Sequence, residues 1–163
     1  MKTLILTQGQ VALVDDEDFE KLSKWKWTAY RGHHTWYAKR AYGFPSNGKS
    51  KTRTRTISMH RQIMGLKYGD TRMVDHINHN GTDNRKENLR LCDNSKNFQN
   101  QISRRAKYKG INFMPKLGKW RARICLNRKQ VHIGLYLTDI EAAQAYDREA
   151  KKIFKEFAHL NFS

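Results

Sequence analysis

Four residues carry the densest chemistry in this chain: Asp75 and His76 side by side, then Asn88, then Asn97. A carboxylate next to an imidazole, followed by two amides at the ends of short apolar runs, suits a small site for one hard divalent cation beside a neutral base. Phosphodiester hydrolysis needs an activated water, stabilisation of charge on the phosphoryl oxygens, and help for the departing 3′ oxygen. A Mg²⁺ (or Mn²⁺) ion supplies the last two as a Lewis acid. Such ions take oxygen ligands and keep waters beside one or two protein donors. Asp75 offers a carboxylate and Asn97 an amide oxygen as metal ligands. His76 is the candidate general base, since an ordinary imidazole titrates near ~6.5. Asn88 can fix its tautomer by accepting the ring N–H through the amide oxygen. The plainer alternative has Asp75 and His76 bonded in a turn and the asparagines capping a helix.

The surrounding residues spell out what must hold these groups. Val74-Asp75-His76-Ile77-Asn78 closes a short apolar run, and a polar loop passes through Asp83-Asn84-Arg85. Leu89-Arg90-Leu91 is a second run, and Asp93 or Asn94 is a helix N-cap signal. The order is strand, loop, strand, helix. Arg85 and Arg90 add cations here and join the DNA-facing candidates. Just upstream, Met59 to Met64 reads as a helical turn ended by Gly65, with His60 a structural residue because nothing adjacent in sequence reads as its partner.

The whole chain is strongly basic: 163 residues with a formal charge of +17 and a pI near 10.1. Such a field selects a polyanion. A membrane is excluded as that partner, because no apolar run spans a bilayer and there is no basic amphipathic helix of convincing length and no signal peptide. Cys92 and Cys125 have no C-x-x-C spacing, so they are read as two small buried thiols in a reducing cytoplasm.

Residues 1–58 read as short strands. Leu4-Ile5-Leu6 and Val11-Ala12-Leu13-Val14 flank a turn at Gln8-Gly9-Gln10, and Asp15-Asp16-Glu17-Asp18 opens a short helix over Phe19 and Leu22. Trp25, Trp27, Trp36, Tyr37 and Tyr42 alternate with polar residues as half-buried strands do. After the turn at Pro45 to Gly48, the cations Lys49, Lys51, Arg53 and Arg55 alternate with Ser and Thr, which puts them on one strand face spaced for phosphates. A solvated basic edge is the alternative. The composition shifts at residues 101–107, where Arg104 and Arg105 form a basic linker able to track a DNA backbone. Three alternating strands follow, at 108–113, 119–126 and 129–136. Thr138-Asp139-Ile140-Glu141 matches a capping box, and Ala143, Tyr146, Ala150 and Ile153 or Phe154 form a core stripe on the helix behind it.

Asp75-His76, Asn88 and Asn97, with Asp83-Asn84-Arg85 and Asn88-Leu89-Arg90, resemble the HNH nuclease family in its H-N-N variant, known among phage and intron-encoded homing endonucleases. The resemblance covers residues 59–100. It implies a ββα-metal fold in which Asp75 and Asn97 bind metal, His76 is the base and Asn88 orients it; without the cysteines of some members, structural zinc is not expected. Tyr108-Lys109-Gly110-Ile111, Gly118-Lys119-Trp120, Ile133-Gly134, Glu141-Ala142-Ala143, Ala145-Tyr146-Asp147 and Leu160-Asn161-Phe162 are similar to the AP2 DNA-binding domain. That resemblance implies a three-stranded sheet in the major groove with one helix behind it. Its DNA-facing positions here are Lys109, Asn112, Arg121, Arg123, Lys129 and His132. Asn112, Met114, Cys125 and His132 depart from the plant pattern, so the plant target sequence does not transfer.

The expectation is an α+β protein with a nuclease domain at 1–102, a linker at 103–107 and an AP2-like domain at 108–163. It is expected to act as a monomeric, Mg²⁺-dependent, homing-type endonuclease on double-stranded DNA, in the cytoplasm of a bacterial host if phage-encoded, with no obligate protein partner. A non-catalytic, sequence-specific DNA-binding regulator on the same scaffold is the alternative. An RNA-binding protein fits the charge but not the four-residue constellation.

Overall fold

The computed structural model describes residues 1–44, 53–67, 69–101 and 106–162. The chain is α+β and packs as two units, Met1–Cys92 and Asp93–Ser163. Of the cations read from the sequence, Lys49, Lys51, Arg104 and Arg105 lie outside the described residues, as does most of the basic linker. No helix among the described residues is long and apolar enough to cross a membrane.

The first unit opens with an antiparallel hairpin, β1 (Lys2–Ile5) and β2 (Val11–Val14), turned at Gln8 and Gly9. Period-two alternation puts Leu4, Ala12 and Val14 into the core. Helix α1 (Asp16–Ser23) follows with three acids in its first turn, and Leu22 is buried. Trp27 is buried beneath it and donates its indole N–H at 2.9 Å to the Leu22 carbonyl, which also accepts the Trp25 amide at 3.2 Å. Trp25, half exposed, and Trp27 both precede the strand, so the strand alternation read from the sequence does not extend over them.

Strands β3 (Thr28–Arg31), β4 (Trp36–Phe44) and β5 (Arg53–Ser58) form an antiparallel sheet in the order β3-β4-β5. Ala29 and Ala38 pair across it and face the core with Met59, the first residue of helix α2 (Met59–Ile63). Strand β6 (Met73–His76) then pairs with β7 (Leu89–Cys92), joined by a loop that ends in a 3₁₀ turn, Lys86–Asn88.

The second unit begins with helix α3 (Asn94–Asn100), where the Asp93 carboxylate accepts the Lys96 amide at 2.8 Å as an N-cap. Strands β8 (Ile111–Met114), β9 (Lys119–Leu126) and β10 (Lys129–Tyr136) make a meander in the order β10-β9-β8. Helix α4 (Asp139–Phe154) carries the capping box read from Thr138 and Glu141. Its Ala142, Ala143, Tyr146, Ala150 and Phe154 are buried, packing on Ile111, Ala122 and Ile124. Gly110 has φ +77°, and a Cβ there would lie 2.1 Å from the Tyr146 ring, so glycine is required for this close approach. Asp147 accepts the Asn161 amide at 2.8 Å and the Phe162 amide at 2.9 Å, tying the C-terminal strap to the helix.

Candidate active site

His76 ends β6 and is buried, at 6% exposure. Its Nε2 lies 3.5 Å from Oδ1 of Asn84, a fully buried amide. Asn84 Nδ2 donates to the Thr82 carbonyl at 3.1 Å, which fixes the amide so that its oxygen faces the ring. An amide oxygen can only accept, so this contact calls for the tautomer with its proton on Nε2. Burial holds His76 below the usual imidazole range, against upward pulls from Asn84, Asp75 and Asp83. At neutral pH the ring is uncharged.

Two rings wall the imidazole. His60, from α2, meets it edge-on at a centroid distance of 4.9 Å, and Tyr37, from β4, lies at 5.9 Å. Burial first, then the neighbouring His76, Arg61 and Lys39, holds His60 down to about 3, so it is neutral too. The sequence hid these two neighbours because both come from elements remote in the chain.

The loop that supplies Asn84 is held throughout. Leu13 of β2 brackets it, donating to the Thr82 carbonyl at 2.9 Å and accepting the Asn84 amide at 2.8 Å. Asn88 ties its two ends: Oδ1 accepts the Asn78 amide at 3.0 Å and Nδ2 donates to the Asp83 carbonyl at 2.8 Å. Asn88 thus stands in the 3₁₀ turn before β7 and positions the loop, while Asn84 is the amide that meets the His76 ring. Gly81 is where the loop crosses β4; a Cβ there would come within 2.5 Å of the Trp36 carbonyl oxygen and 2.6 Å of the Tyr37 ring. The acidic tetrad joins the same framework. Asp15 accepts the Lys86 amide at 2.8 Å, and the Lys86 ammonium pairs with Glu17 and Asp18.

Asp75 is buried beside His76, and Oδ2 accepts two N–H bonds from its cross-strand partner Arg90, from Nε at 3.0 Å and from Nη2 at 2.8 Å. Arg85 forks onto Asp83 at 2.8 and 2.7 Å and also pairs with Glu87. Both arginines, read from the sequence as DNA contacts, therefore brace carboxylates inside the unit. No group of three His, Cys, Asp or Glu among the described residues forms a metal cage. A hard cation that keeps waters and takes substrate oxygens needs no such cage, and the single anionic oxygen donor Asp75 fits it by type. Asn97 lies on α3, in the second unit.

Residues 58–99 match the HNH endonuclease family model. This match supports nuclease activity, with DNA as the implied substrate and a divalent metal as the family's general requirement. The HNH stretch begins at Ser58, takes in His60 and both strands of the β6–β7 pair, and ends at Gln99 within α3. Separately, 59 residues of the chain are 39% identical to APETALA2-like protein 2 of Oryza sativa subsp. indica, and equally to that of subsp. japonica. The matched stretch is 35% of this chain and spans only 13% of the length of these curated relatives. No solved structure matches the chain.

Outside the HNH stretch, the expected DNA-facing residues divide. In the second unit Ala122 and Ile124 are buried against α4, so Arg121 and Arg123 face away from it. Asn112 pairs with Arg121 and His132 with Arg123, placing all four on that open face. Lys129 pairs with Leu126 at the hairpin end and so shares the other face. Lys109 is internal: its Nζ donates to the carbonyls of Gln99 at 2.5 Å and Gln101 at 2.8 Å, and burial brings it down to about 8. In the first unit the backbone register pairs Arg53 with Phe44 and Arg55 with Tyr42. Cys92 is buried as expected, whereas Cys125 is exposed because its position on β9 alternates with Ile124.

Proposed function

We propose that this protein is a homing-type DNA endonuclease, a monomer that hydrolyses phosphodiester bonds of double-stranded DNA. The observation that carries this reading is the buried His76, its Nε2 3.5 Å from the fixed amide oxygen of Asn84, beside Asp75 in the HNH stretch. His76 takes a proton from the attacking water at Nδ1. Asn84 keeps the ring in the tautomer that can do so, and Asn88 and Gly81 hold the loop that presents Asn84. His60 and Tyr37 exclude water from the ring faces, which keeps the base neutral between turnovers. Asp75 is the anionic donor for the divalent cation; Asn97 is assigned as the second donor on sequence spacing alone. When bound, Mg²⁺ stabilises charge on the phosphoryl and 3′ oxygens. The products are 5′-phosphate and 3′-hydroxyl ends. Arg121, Arg123, Asn112 and His132, on the open face of the second unit, select the site.

Plasmid nicking in Mg²⁺ against EDTA tests this reading, with His76→Ala as the decisive variant. The variant loses cleavage by at least about a hundredfold while DNA affinity stays within about threefold. A variant that cuts at the wild-type rate removes the base assignment, and a wild type that binds but never cuts leaves a DNA-binding regulator.

A further inference from the structure

Strand β4 carries a cation on the same side as the imidazoles. Ala38 and Arg40 point to the core, so Tyr37 and Lys39 share the opposite face, one strand repeat of roughly 6.5 Å apart. Tyr37 is the ring that touches both His60 and His76. Lys39 stands directly across from Ser58, the residue before the helix that carries His60. Its Nζ sits 3.5 Å from the centroid of Tyr30, a half-exposed ring that is itself the cross-strand partner of Tyr37. A cation over a ring face is held in place electrostatically and still has N–H groups to give. Several other cations of this region are held by protein groups: Arg85 by Asp83, Lys86 by Glu17 and Asp18, Arg90 by Asp75, Arg61 by the carbonyls of Asp70 and Arg72, and Arg40 by the Gln62 amide oxygen. Among the described residues Lys39 has no carboxylate partner.

We propose that Lys39, seated on Tyr30, binds a non-bridging oxygen of a backbone phosphate next to the one that is cut, and so sets the register of the strand at His76. Which phosphate it takes rests on the endonuclease reading; that it takes one rests only on its geometry. A fixed cation one strand repeat from the imidazole wall matches a backbone that offers a negative charge at every nucleotide.

The test compares Lys39→Gln, Lys39→Arg and wild type as full-length chains. In EDTA, binding of a short DNA duplex is titrated across salt. For Lys39→Gln the slope of log affinity against log salt falls by about 0.9 and affinity drops about tenfold, while Lys39→Arg restores most of both. In Mg²⁺, after the cut is mapped on a random-site library, duplexes with single neutral methylphosphonates are cut under single turnover. One neutralised phosphate within two nucleotides of the cut slows wild type and leaves Lys39→Gln no slower than it already is. An unchanged salt slope, or methylphosphonate effects as large in Lys39→Gln as in wild type, overturns the contact. If wild type binds but does not cut, the nuclease reading fails and the salt slope still decides on Lys39. Tyr30→Phe leaves both readouts near wild type, since the ring and not the hydroxyl holds the ammonium.

Discussion

In the first unit Arg40, Asp75, His76, Asp83, Asn84 and Asn88 are all buried, whereas among the described residues of the second only Asn100 is. The second unit's core is apolar and rich in alanine, and Asn112, Arg121, Arg123 and His132 stand on the sheet face turned away from α4. The contrast teaches what each unit is organised to hold. A buried polar network is stable only when its members are all satisfied, so it fixes one geometry and tolerates little change. An apolar core beneath an open polar face lets the face vary while the fold stays. Chemistry needs the first arrangement; recognition of many possible sequences is served by the second.

The largest expected effect breaks the second unit's side of the comparison. Gly110→Ala places a methyl 2.1 Å from the Tyr146 ring and 2.8 Å from the Arg123 carbonyl oxygen at φ +77°. A loss of about 3 kcal/mol or more is expected, seen as an early transition in chemical denaturation. Gly81→Ala is its counterpart in the first unit, costing about 1–3 kcal/mol from overpacking alone. It should also cut cleavage out of proportion to stability, because the loop it displaces presents Asn84. Were Gly81→Ala as active as wild type at a temperature where it stays folded, the loop would not be the support of the base.

Next comes the pair of amides. Asn84→Ala and Asn88→Ala each leave buried groups unsatisfied and should each cost about 1–3 kcal/mol. They separate in the ring itself. ¹⁵N spectra of His76 should show the Nε2–H tautomer in wild type, and a mixture of tautomers in Asn84→Ala. An Asn84→Ala spectrum identical to wild type would show that the 3.5 Å contact does not set the proton's place.

That pair also marks where the sequence stops being readable. Elements that depend on local signals were legible: the Asp93 cap, the Thr138–Glu141 capping box, the three strands of the meander and the two strands around Asp75-His76. The partner of the imidazole was not, because both amides lie on the same polar loop and their spacing fits either. Only the bracket from Leu13 decides that Asn84 turns inward. His60 and Tyr37 join the site through a strand and a helix whose packing no local pattern reports. Arg85 and Arg90 look like phosphate ligands in any basic sequence, yet each meets an acid once the chain folds. Lys109 fails in the same way, its stem and ammonium absorbed by carbonyls of the preceding segment.

Acid sharpens the comparison in the first unit. His60 is held to about 3 against 6.5 for an ordinary imidazole. Between those values the unfolded chain binds a proton that the native state does not, so stability rises with pH through this window and is lost on acidification. The slope from this one group is at most about 1.4 kcal/mol per pH unit. His76, also lowered by burial, adds the same sign. His60→Phe should therefore flatten the urea midpoint against pH between about pH 6 and pH 4, and parallel curves for the two proteins would mean that His60 is not proton-free in the fold.

The smallest effects on stability fall on the open face, and they divide Arg121 from Lys109. Arg121 is half exposed and its Nε donates to the Asn112 amide oxygen across the strands at 3.2 Å. Replacing it with alanine should move stability by no more than about 0.5 kcal/mol. The same change should lower the salt slope of duplex binding by about 0.9 and, if Arg121 reads a base edge, relax sequence preference at one position. Lys109→Ala should do the reverse, costing about 1–3 kcal/mol by removing the ammonium that bridges the Gln99 and Gln101 carbonyls while leaving the salt slope alone. If the two variants instead exchange these signatures, the face turned away from α4 is not the one that meets DNA. The internal lysine would then have to leave its carbonyls on binding, a rearrangement that the apolar packing of α4 on the sheet does nothing to oppose.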